Sequence, residues 1–328
     1  MKDSIDNICF SFWNSAVLRA AIKLGIFPLL EQPISAREVS DHLKANPDFV
    51  EAFLESCAGL GLLEKEEGNF KNSQVASTFL IPDKPEYQGD YVVHITNFWY
   101  TWGNLDQLIR EGRPDFPFEN GFVDPGTYWT SYIKGRHNLA MAGQGAVLAE
   151  YTNLNNRRKM LDLGGGSGSY SIALCNANPN LTAVVVDLKE PLEIALSLLK
   201  QYNLQERISL CPADFHTTEF DQDYDVVLLS AVLRHISPEQ CLRLLSKAYD
   251  ALLPGGLLIV QEFINPEDNP KQSLRSTMME LYLMIGFHSE SGNRSKEEIA
   301  LWLEKTGFKN IKVIPLPTQT TLILGEKP

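Results

Sequence analysis

A run of glycines at 161–168, Leu-Asp-Leu-Gly-Gly-Gly-Ser-Gly, constrains the fold of this chain more than any other feature. It continues a short apolar stretch at 160–163 that has the pattern of a buried strand. A segment at 170–176 with the pattern of a helix follows it. Glycine has no Cβ, so a turn rich in glycine adopts positive φ and lets a ligand approach its backbone closely. The helix beyond the turn presents free N–H groups at its start. The pattern predicts a ligand-binding turn in an α/β fold.

An acid at the end of the next predicted strand indicates a nucleotide-type ligand. This strand covers 182–186 and ends in Asp187, 23 residues after Gly164. Nucleotide-binding folds place the carboxylate that holds ribose hydroxyls at this distance. The glycines are spaced G-x-G-x-G rather than G-x-G-x-x-G, and Asp162 lies two residues before the first of them. A carboxylate there would repel a pyrophosphate, whereas it suits the sulfonium and amino groups of S-adenosylmethionine (SAM). We therefore expect SAM as the cofactor.

The second half of the chain alternates between strand and helix patterns. Strands are predicted at 160–163, 182–187, 207–211, 224–230 and 256–263, and helices at 168–177, 190–202 and 238–252. Two more helices, 272–287 and 295–306, precede extended segments at 309–315 and 320–325 that could form an antiparallel edge. This order predicts a doubly wound, Rossmann-like parallel sheet. We place this cofactor-binding domain at 153–328.

The first half is predicted to be mostly helical. We predict helices at 14–24, at 35–43 and from Asp48 to Leu60, followed by a hairpin-like turn at 67–69. Ser35 and Glu38 form a capping box at the start of the second helix. Three helices followed by a β-wing are typical of a winged helix, which often binds DNA. Acids outnumber bases on the second helix and its flanks, so a surface that faces phosphates is absent. We expect a dimerisation domain at 1–105.

A connection at 106–152 carries many aromatic residues and several prolines. Most of these rings must pack between helices, and a minority could line a pocket for a flat, apolar acceptor. We expect this segment to be helical and to contribute to the wall of the acceptor pocket.

Composition excludes several classes of protein. The chain has 328 residues, a hydrophobic fraction of 44% and a net charge of −12. The negative charge argues against nucleic acid as a partner. No stretch approaches 18 apolar residues, so no membrane span is predicted. The five cysteines are scattered without a CxxC pair, which is typical of reduced thiols in a cytoplasmic protein.

Ligands in sheets of this kind lie beyond the carboxyl ends of the strands, which selects the candidate cofactor residues. Asp187 would accept both ribose hydroxyls, Asp214 would accept from the adenine amine, and Phe215 would flank the adenine ring. The structural alternative for Asp187 is a helix cap. For Asp214 the alternative is a turn residue, and for Phe215 it is an aromatic residue of the core. The complete set of predicted cofactor residues is Asp162, Gly164, Gly166, Gly168, Asp187, Leu188, Asp214, Phe215, Ser230 and Ala231.

Five segments together carry a family resemblance: LDLGGGSGSY, VVVDL, PADF, DVVLLSAVLRHISPEQCLRLL and LLPGGLLIVQEF. They resemble the class I SAM-dependent small-molecule O-methyltransferases, which include plant phenolic, acetylserotonin and bacterial polyketide enzymes of secondary metabolism. The resemblance spans nearly the whole chain, because the N-terminal winged-helix domain is also typical of this family. It implies a homodimer that methylates a small, aromatic acceptor and releases S-adenosylhomocysteine.

The catalytic segment departs from the family pattern. The family's base histidine normally stands in L-H-D-W-S-D-E, and Arg234 occupies that position here, with His235 one residue later. The resemblance assigns the first buttressing acid, 28 residues after the base, to Glu262. Asn293 stands in place of the second acid. We take Arg234, His235 and Glu262 as the candidate catalytic residues.

Three accounts of the chemistry follow from this departure. His235 serves as base after a local change in geometry, since adjacent helical residues point about 100° apart. Alternatively, Arg234, which stays protonated, binds an acceptor that is already anionic, such as a carboxylate or enolate. In the third account the acceptor is a carbon, as in C-methyltransferases, or the chain is a SAM-binding enzyme that has left methyl transfer. In the structural alternative, Arg234 forms a salt bridge with Glu262 and takes no part in the chemistry. A further alternative is that the chain is not an enzyme but a regulator built on the winged helix.

Four further residues are candidates for the acceptor pocket: Trp99, Met279, Met284 and His288. Methionine adapts its shape to a ligand, and histidine is able to titrate near neutral pH. A metal site from His235, His288 and Glu262 is an alternative that nothing in their spacing requires, so we expect no metal.

Overall fold

The computed structural model describes residues 2–264 and 270–328 and divides into two compact units, Met1–Asn97 and Phe98–Pro328. The division lies a little before the boundary predicted at 105. The predicted connection at 106–152 is part of the second unit.

The first unit combines helices with a small antiparallel sheet, and its helix–helix–helix–hairpin order matches the predicted winged helix. Helix α1 covers Lys2–Leu24 and is longer than the predicted 14–24. The other helices are α2 (Ile26–Leu29), α3 (Ala36–Leu43), α4 (Pro47–Gly59), α5 (Gln74–Phe79) and α6 (Gly89–Asn97). The strands β1 (Ile34–Ser35), β2 (Leu63–Glu66) and β3 (Asn69–Asn72) form a sheet in the order β1-β3-β2.

Local signals account for the helix boundaries in this unit. The Ser35 hydroxyl accepts from the backbone N–H of Glu38, whose carboxylate accepts from the N–H of Ser35, so the predicted capping box is present. Arg19 on α1 donates to the carbonyl of Val93 and to the side chains of Thr96 and Asn97, which ties α1 to α6. A separate apolar core that includes Phe27, Leu54 and Phe70 fills this unit.

The second unit is built around a seven-stranded sheet with the order β6-β5-β4-β7-β8-β10-β9. Its strands are β4 (Lys159–Leu163), β5 (Thr182–Asp187), β6 (Ile208–Pro212), β7 (Tyr224–Ser230), β8 (Leu252–Glu262), β9 (Lys309–Pro315) and β10 (Thr321–Glu326). Strands β4 to β8 pair in parallel, and β10 pairs antiparallel with both β8 and β9. The predicted doubly wound sheet with an antiparallel edge is confirmed.

Helices cover the chain between and before these strands. Those that precede the sheet are α7 (Trp99–Gly103), α8 (Leu105–Glu111), α9 (Pro125–Leu139) and α10 (Gly145–Tyr151). Those that follow are α11 (Ser169–Ala177), α12 (Lys189–Gln201), α13 (Pro238–Ala251), α14 (Pro270–Gly286) and α15 (Lys296–Lys305). A wide π-helical turn, Ala140–Gln144, separates α9 from α10, and Gly143 within it has a φ of 113°. Such turns often occur beside functional sites.

The pleat of the strands divides the core between the two faces of the sheet. Leu161 and Val227 belong to the cluster on one face, and Met160 and Val226 to the cluster on the other. Asp162 shares a face with Met160, one residue before the strand ends. A buried carboxylate therefore interrupts an apolar face where β4 meets the glycine turn.

No helix among the described residues is long and apolar enough to cross a membrane.

Candidate active site

A cavity of about 390 Å³ opens beyond the carboxyl ends of β4, β5 and β7. Strand β4 pairs with β5 on one side and β7 on the other, which places the cavity at the point where the strand order reverses. Its lining residues are Phe116, Phe118, Tyr128, Trp129, Tyr132, Ile133, Arg136, Leu139, Gln144, Asp162, Gly164, Gly165, Gly166, Ser167, Tyr170, Asp187, Pro191, Phe215, Ser230, Ala231, Val232, His235, Ile236, Phe263 and Phe287.

Glycine is required at several positions of the turn after β4. Gly164 and Gly166 have φ values of 69° and 53°. A Cβ added at Gly165 would lie 2.7 Å from the carboxyl carbon of Asp162. The backbone N–H of Gly166 donates to Asp187 at 2.8 Å. The turn therefore packs closely against Asp162 and Asp187, and its backbone leaves space for a ligand in the cavity.

Two carboxylates lie at the ends of β4 and β5. The Asp162 side chain accepts from the Ser171 hydroxyl at 2.6 Å and is 1% exposed. Burial, together with the nearby Asp187, raises the pKa of Asp162 from 3.8 to about 7. Burial also raises the pKa of Asp187, although the N–H groups of Gly166 and Leu188 oppose the shift. Both groups would be stabilised in their ionised form by a cation bound beside them.

Residues at the end of β7 and after β6 also line the part of the cavity that lies beside the glycine turn. Ala231 has a positive φ of 56°, which is uncommon for a residue with a Cβ, and its N–H donates to the carbonyl of Gln261. The Ser230 hydroxyl donates to the Gln261 side chain at 2.9 Å, and Gln261 in turn donates to Thr320. These bonds fix the end of β7 against β8 and β10. Strain of this kind clusters at functional sites.

Aromatic rings dominate the half of the cavity away from the glycine turn. Phe118 and Tyr128 pack edge to face with their centroids 5.0 Å apart, and Tyr132 is offset-stacked on Tyr128 at 6.2 Å. The Arg136 guanidinium lies 5.3 Å from the Tyr132 ring. Burial raises the pKa of Tyr128 well above its ordinary value. This half fits a flat, apolar ligand.

His235 lines the cavity at the boundary of the aromatic half. It ends a 3₁₀ turn, Leu233–His235, that follows β7. Its ring centroid is 4.5 Å from that of Phe287, which also lines the cavity. An imidazole in this position lies beside both the strand ends and the aromatic wall.

Arg234 does not line the cavity. Its guanidinium donates to the side-chain oxygen of Asn293 at 3.0 Å and lies 5.0 Å from the Phe263 ring. Its backbone N–H donates to Glu262 at 3.3 Å. The side chain therefore pairs with Asn293, and within the described part of the chain it forms no ion pair with Glu262.

Arg234 and Glu262 are both buried, with 5% and 2% of their surface exposed, and each affects the pKa of the other. Burial lowers the pKa of Arg234, and the charge of Glu262 opposes that shift. Burial raises the pKa of Glu262, and Arg234 opposes that shift too. The two charges are close enough to stabilise each other without a direct bond between the side chains.

Two family models match the chain. The model of the O-methyltransferase domain matches residues 102–309, and that of the O-methyltransferase dimerisation domain matches residues 7–82. The chain belongs to the O-methyltransferase family. This family is the SAM-dependent one that the sequence motifs predicted.

Curated relatives cover nearly the full length of this O-methyltransferase. The chain is 26% identical over 315 residues to 3-hydroxy-5-methyl-1-naphthoate 3-O-methyltransferase of Streptomyces sahachiroi, which covers 94% of this chain and 90% of that protein. It is 28% identical over 317 residues to acetylserotonin O-methyltransferase of Bos taurus, which covers 92% and 90%. Among solved structures, human N-acetylserotonin methyltransferase in complex with SAM aligns with a TM-score of 0.86 at 23% identity, which covers 99% of this chain and 97% of that chain. PigF with SAH aligns with the same TM-score and identity over the whole of both chains.

The cavity of this O-methyltransferase brings together eight of the residues predicted from the sequence. They are Asp162, Gly164, Gly166, Asp187, Phe215, Ser230, Ala231 and His235. Three other predicted cofactor residues lie outside its lining. Gly168 begins α11 with a φ of 66°, and Leu188 is an exposed residue that begins α12. The Asp214 carboxylate accepts from the N–H of His216 at 2.8 Å, as is common for aspartate in turns.

The acceptor residues predicted from the sequence differ from those that line the cavity. Trp99, Met279, Met284 and His288 are absent from its wall. Met284 is exposed, and the His288 ring accepts from the backbone N–H of Glu290, which closes a turn. No described residue of α14 is among those that line the cavity. Within the described ranges, no group of three or more His, Cys, Asp or Glu residues is arranged to hold a metal ion.

Sequence reasoning missed six lining residues with a polar or aromatic side chain: Arg136, Gln144, Ser167, Tyr170, Phe263 and Phe287. Tyr170 donates to Gln144 at 2.7 Å, so the π-helical turn is connected to the helix after the glycines. Phe263 directly follows β8, and the rule for strand ends could have selected it. Phe287 follows α14 and had no comparable signal.

Proposed function

We propose that this O-methyltransferase transfers a methyl group from SAM to a hydroxyl of a small aromatic acceptor, with His235 as the general base. The half of the cavity at the strand ends would hold the cofactor. Asp187 would accept the ribose hydroxyls, Phe215 would contact the adenine, and the glycine turn would carry the methionyl part. Asp162 is a buried carboxylate with a raised pKa, and it suits the positive charge of this cofactor. SAM would supply the methyl group as an electrophile.

The aromatic half would hold the acceptor. Rings on α9 and the ring of Phe287 present flat apolar surfaces on which an aromatic acceptor would stack. This fits the name of the Streptomyces sahachiroi relative, which acts on a hydroxynaphthoate. Such an enclosure orients the hydroxyl toward the methyl group and excludes water, and a methyl transfer depends on both.

The position of His235 carries the proposal. A phenol with a pKa of about 10 stays protonated at neutral pH, so a base accelerates its attack. His235 lines the same cavity as Asp187, whereas Arg234 is bonded to Asn293 outside it. The imidazole would take the hydroxyl proton as the oxygen forms its bond to the methyl carbon. Because Arg234 does not reach the cavity, the alternative in which it binds an anionic acceptor has less support.

Replacing His235 by glutamine tests this role. We expect kcat to fall by roughly 100-fold to 10,000-fold, the usual contribution of a positioned base, while the affinity for SAM stays within threefold. Production of S-adenosylhomocysteine is measured with a panel of naphthols. His42→Gln is the matched control, because His42 is exposed on α3. An unchanged kcat in His235→Gln would mean that His235 is not the base.

We further propose that the enzyme works as a homodimer through its N-terminal unit. The model matched at residues 7–82 is that of a dimerisation domain. Helix α1 leaves Ile5, Ile8, Phe12 and Trp13 more than half exposed, which is unusual for the surface of a monomer. Light scattering on Ile8→Asp/Trp13→Asp should find monomers where the natural chain is dimeric. A dimer in both proteins would contradict the proposed interface.

A further inference from the structure

A single segment, 287–294, holds the turn that carries His235. The N–H of Gly292 donates to the carbonyl of Arg234 at 2.9 Å. The Arg294 guanidinium donates to the carbonyl of Ile236 at 2.6 Å and to that of Leu233 at 3.5 Å. Phe287 packs on the His235 ring from the start of the same segment. The segment therefore contacts the 3₁₀ turn on both sides of His235.

The side chains of Arg234 and Asn293 complete this connection. Asn293 accepts from Arg234 through its amide oxygen. Its amide nitrogen donates to the carbonyl of Ser276 at 3.0 Å and to the Ser276 hydroxyl at 2.9 Å. The bonds therefore run from the turn through Asn293 to helix α14. An amide satisfies both neighbours because it accepts on one side and donates on the other, which a carboxylate does not do.

The buried charges restrict what Arg234 contributes. Glu262 opposes the lowering of the Arg234 pKa that burial causes, and Asn293 adds a hydrogen bond to the guanidinium without adding charge. The guanidinium also lies over the ring of Phe263, a residue of the cavity wall. Arg234 itself does not line the cavity, so it acts on the reaction through its neighbours.

We infer that Arg234 and Asn293 are a positioning pair that fixes the direction of the His235 imidazole. This inference rests on the proposed role of His235 as base. In a 3₁₀ turn with three residues per turn, neighbouring side chains point about 120° apart. Anchoring Arg234 on one side therefore directs His235 toward the cavity. The pair controls kcat, while the cofactor half is independent of it.

The test compares Asn293→Ala with Ser276→Ala. The first removes the acceptor for Arg234. The second removes only a hydroxyl on the far side of Asn293, whose bond to the Ser276 carbonyl remains. Arg234→Gln and the double variant Arg234→Gln/Asn293→Ala complete a double-mutant cycle. For each variant we would measure kcat, the acceptor KM, the SAM Kd and the melting temperature, using the naphthol and the nitronaphthol that the natural chain methylates fastest.

We expect Asn293→Ala to lower kcat with the naphthol about 10-fold to 100-fold and to leave the SAM Kd within twofold. The defect should shrink to less than threefold with the nitronaphthol, because an acceptor that is already ionised needs no base. Ser276→Ala should stay within threefold with both acceptors. The double variant should be no slower than the slower single variant, since both remove the same link.

Three results would overturn the inference. Loss of rate in Asn293→Ala that is equal for both acceptors would indicate general disorder of the site rather than a misdirected base. A kcat unchanged in Asn293→Ala, together with a large loss in His235→Gln, would leave His235 as base and remove the positioning pair. If His235→Gln itself keeps its rate, the proposed function fails, and the inference fails with it. Should Arg234→Gln not fold, Asn293→Ala and Ser276→Ala still decide the outcome.

Discussion

The two halves of the cavity are built in different ways. The half at the strand ends takes its residues from the ends of adjacent parallel strands, with two buried or half-buried carboxylates beside backbone N–H groups. The aromatic half takes its residues from α9, the end of β8 and the end of α14, which are far apart in the chain. The first half is polar and fixed by backbone geometry, and the second depends on how helices pack. If the second half holds the acceptor, as proposed, changes there would alter the choice of acceptor without disturbing the first half.

The largest effect that separates the halves should come from Asp187→Asn. The carboxylate accepts from two backbone N–H groups and would accept from the cofactor ribose, and each bond to a charged group contributes about 1.5–3 kcal/mol. We expect the SAM Kd to rise about 100-fold by calorimetry. Asp214→Asn is the control, since Asp214 lies outside the cavity lining, and it should stay within threefold. An unchanged Kd in Asp187→Asn would contradict the assignment of this half to the cofactor.

A change in the aromatic half should act only on the acceptor. Trp129→Ala removes a large ring from the wall, and we expect the acceptor KM to rise about tenfold, equivalent to about 1.4 kcal/mol of lost contact. The SAM Kd should stay within threefold. A parallel rise in the SAM Kd would show that the two halves are not separable.

The pH dependence of cofactor binding should distinguish the halves as well. The pKa of Asp162 is about 7, so a cationic cofactor binds more weakly at pH 6, where this group must first lose a proton. We expect the SAM Kd to be about tenfold higher at pH 6 than at pH 8, with proton release detected by calorimetry in two buffers. Asp162→Asn should remove most of this dependence, and an equal slope in both proteins would contradict it.

The free energy of unfolding of the cofactor-free protein should fall as the pH rises, whereas the affinity for SAM should increase. The folded-state pKa of Asp162 lies above its ordinary value of 3.8, so the folded protein binds the proton more tightly than the unfolded chain. The contribution of this group to stability is therefore present at low pH and is lost as the pH rises through about 7. Denaturant titrations of the natural chain and Asp162→Asn at pH 6 and pH 8 would measure the difference.

The smallest effect should come from Met284→Ala. Met284 is exposed and lies outside the cavity wall, so neither the acceptor KM nor the SAM Kd should change by more than about twofold. A large change in acceptor KM would place α14 closer to the acceptor than the cavity wall indicates.

The half of the cavity at the strand ends could be predicted from the sequence, because local patterns place its residues. The glycine turn, Asp187 and Ser230 lie at ends of strands whose order follows from their alternation with helices, so local patterns located them. The sheet was predicted with its antiparallel edge for the same reason. Asp214 was selected by the same rule, and it lies outside the cavity lining, where it accepts from the N–H of His216.

The aromatic half could be predicted only in outline. The density of aromatic residues in the connection at 106–152 indicated a pocket, and Tyr132 and its neighbours do line it. Whether a ring on a helix faces a cavity depends on tertiary packing, which no local pattern contains, and Trp99 and Phe287 were therefore not distinguished. The relation between Arg234 and Asn293 depends on a contact across 59 positions of the chain.

The 3₁₀ turn after β7 also has a consequence for comparing related chains. With three residues per turn, a shift of one position along the sequence moves the inward direction by a third of a rotation. The residue that faces the cavity can therefore change its column in an alignment while the fold stays the same. If His235 is the base, arginine in the family's base column does not by itself mean that a related chain is inactive. A survey for active members would then compare the neighbouring column and position 293 as well.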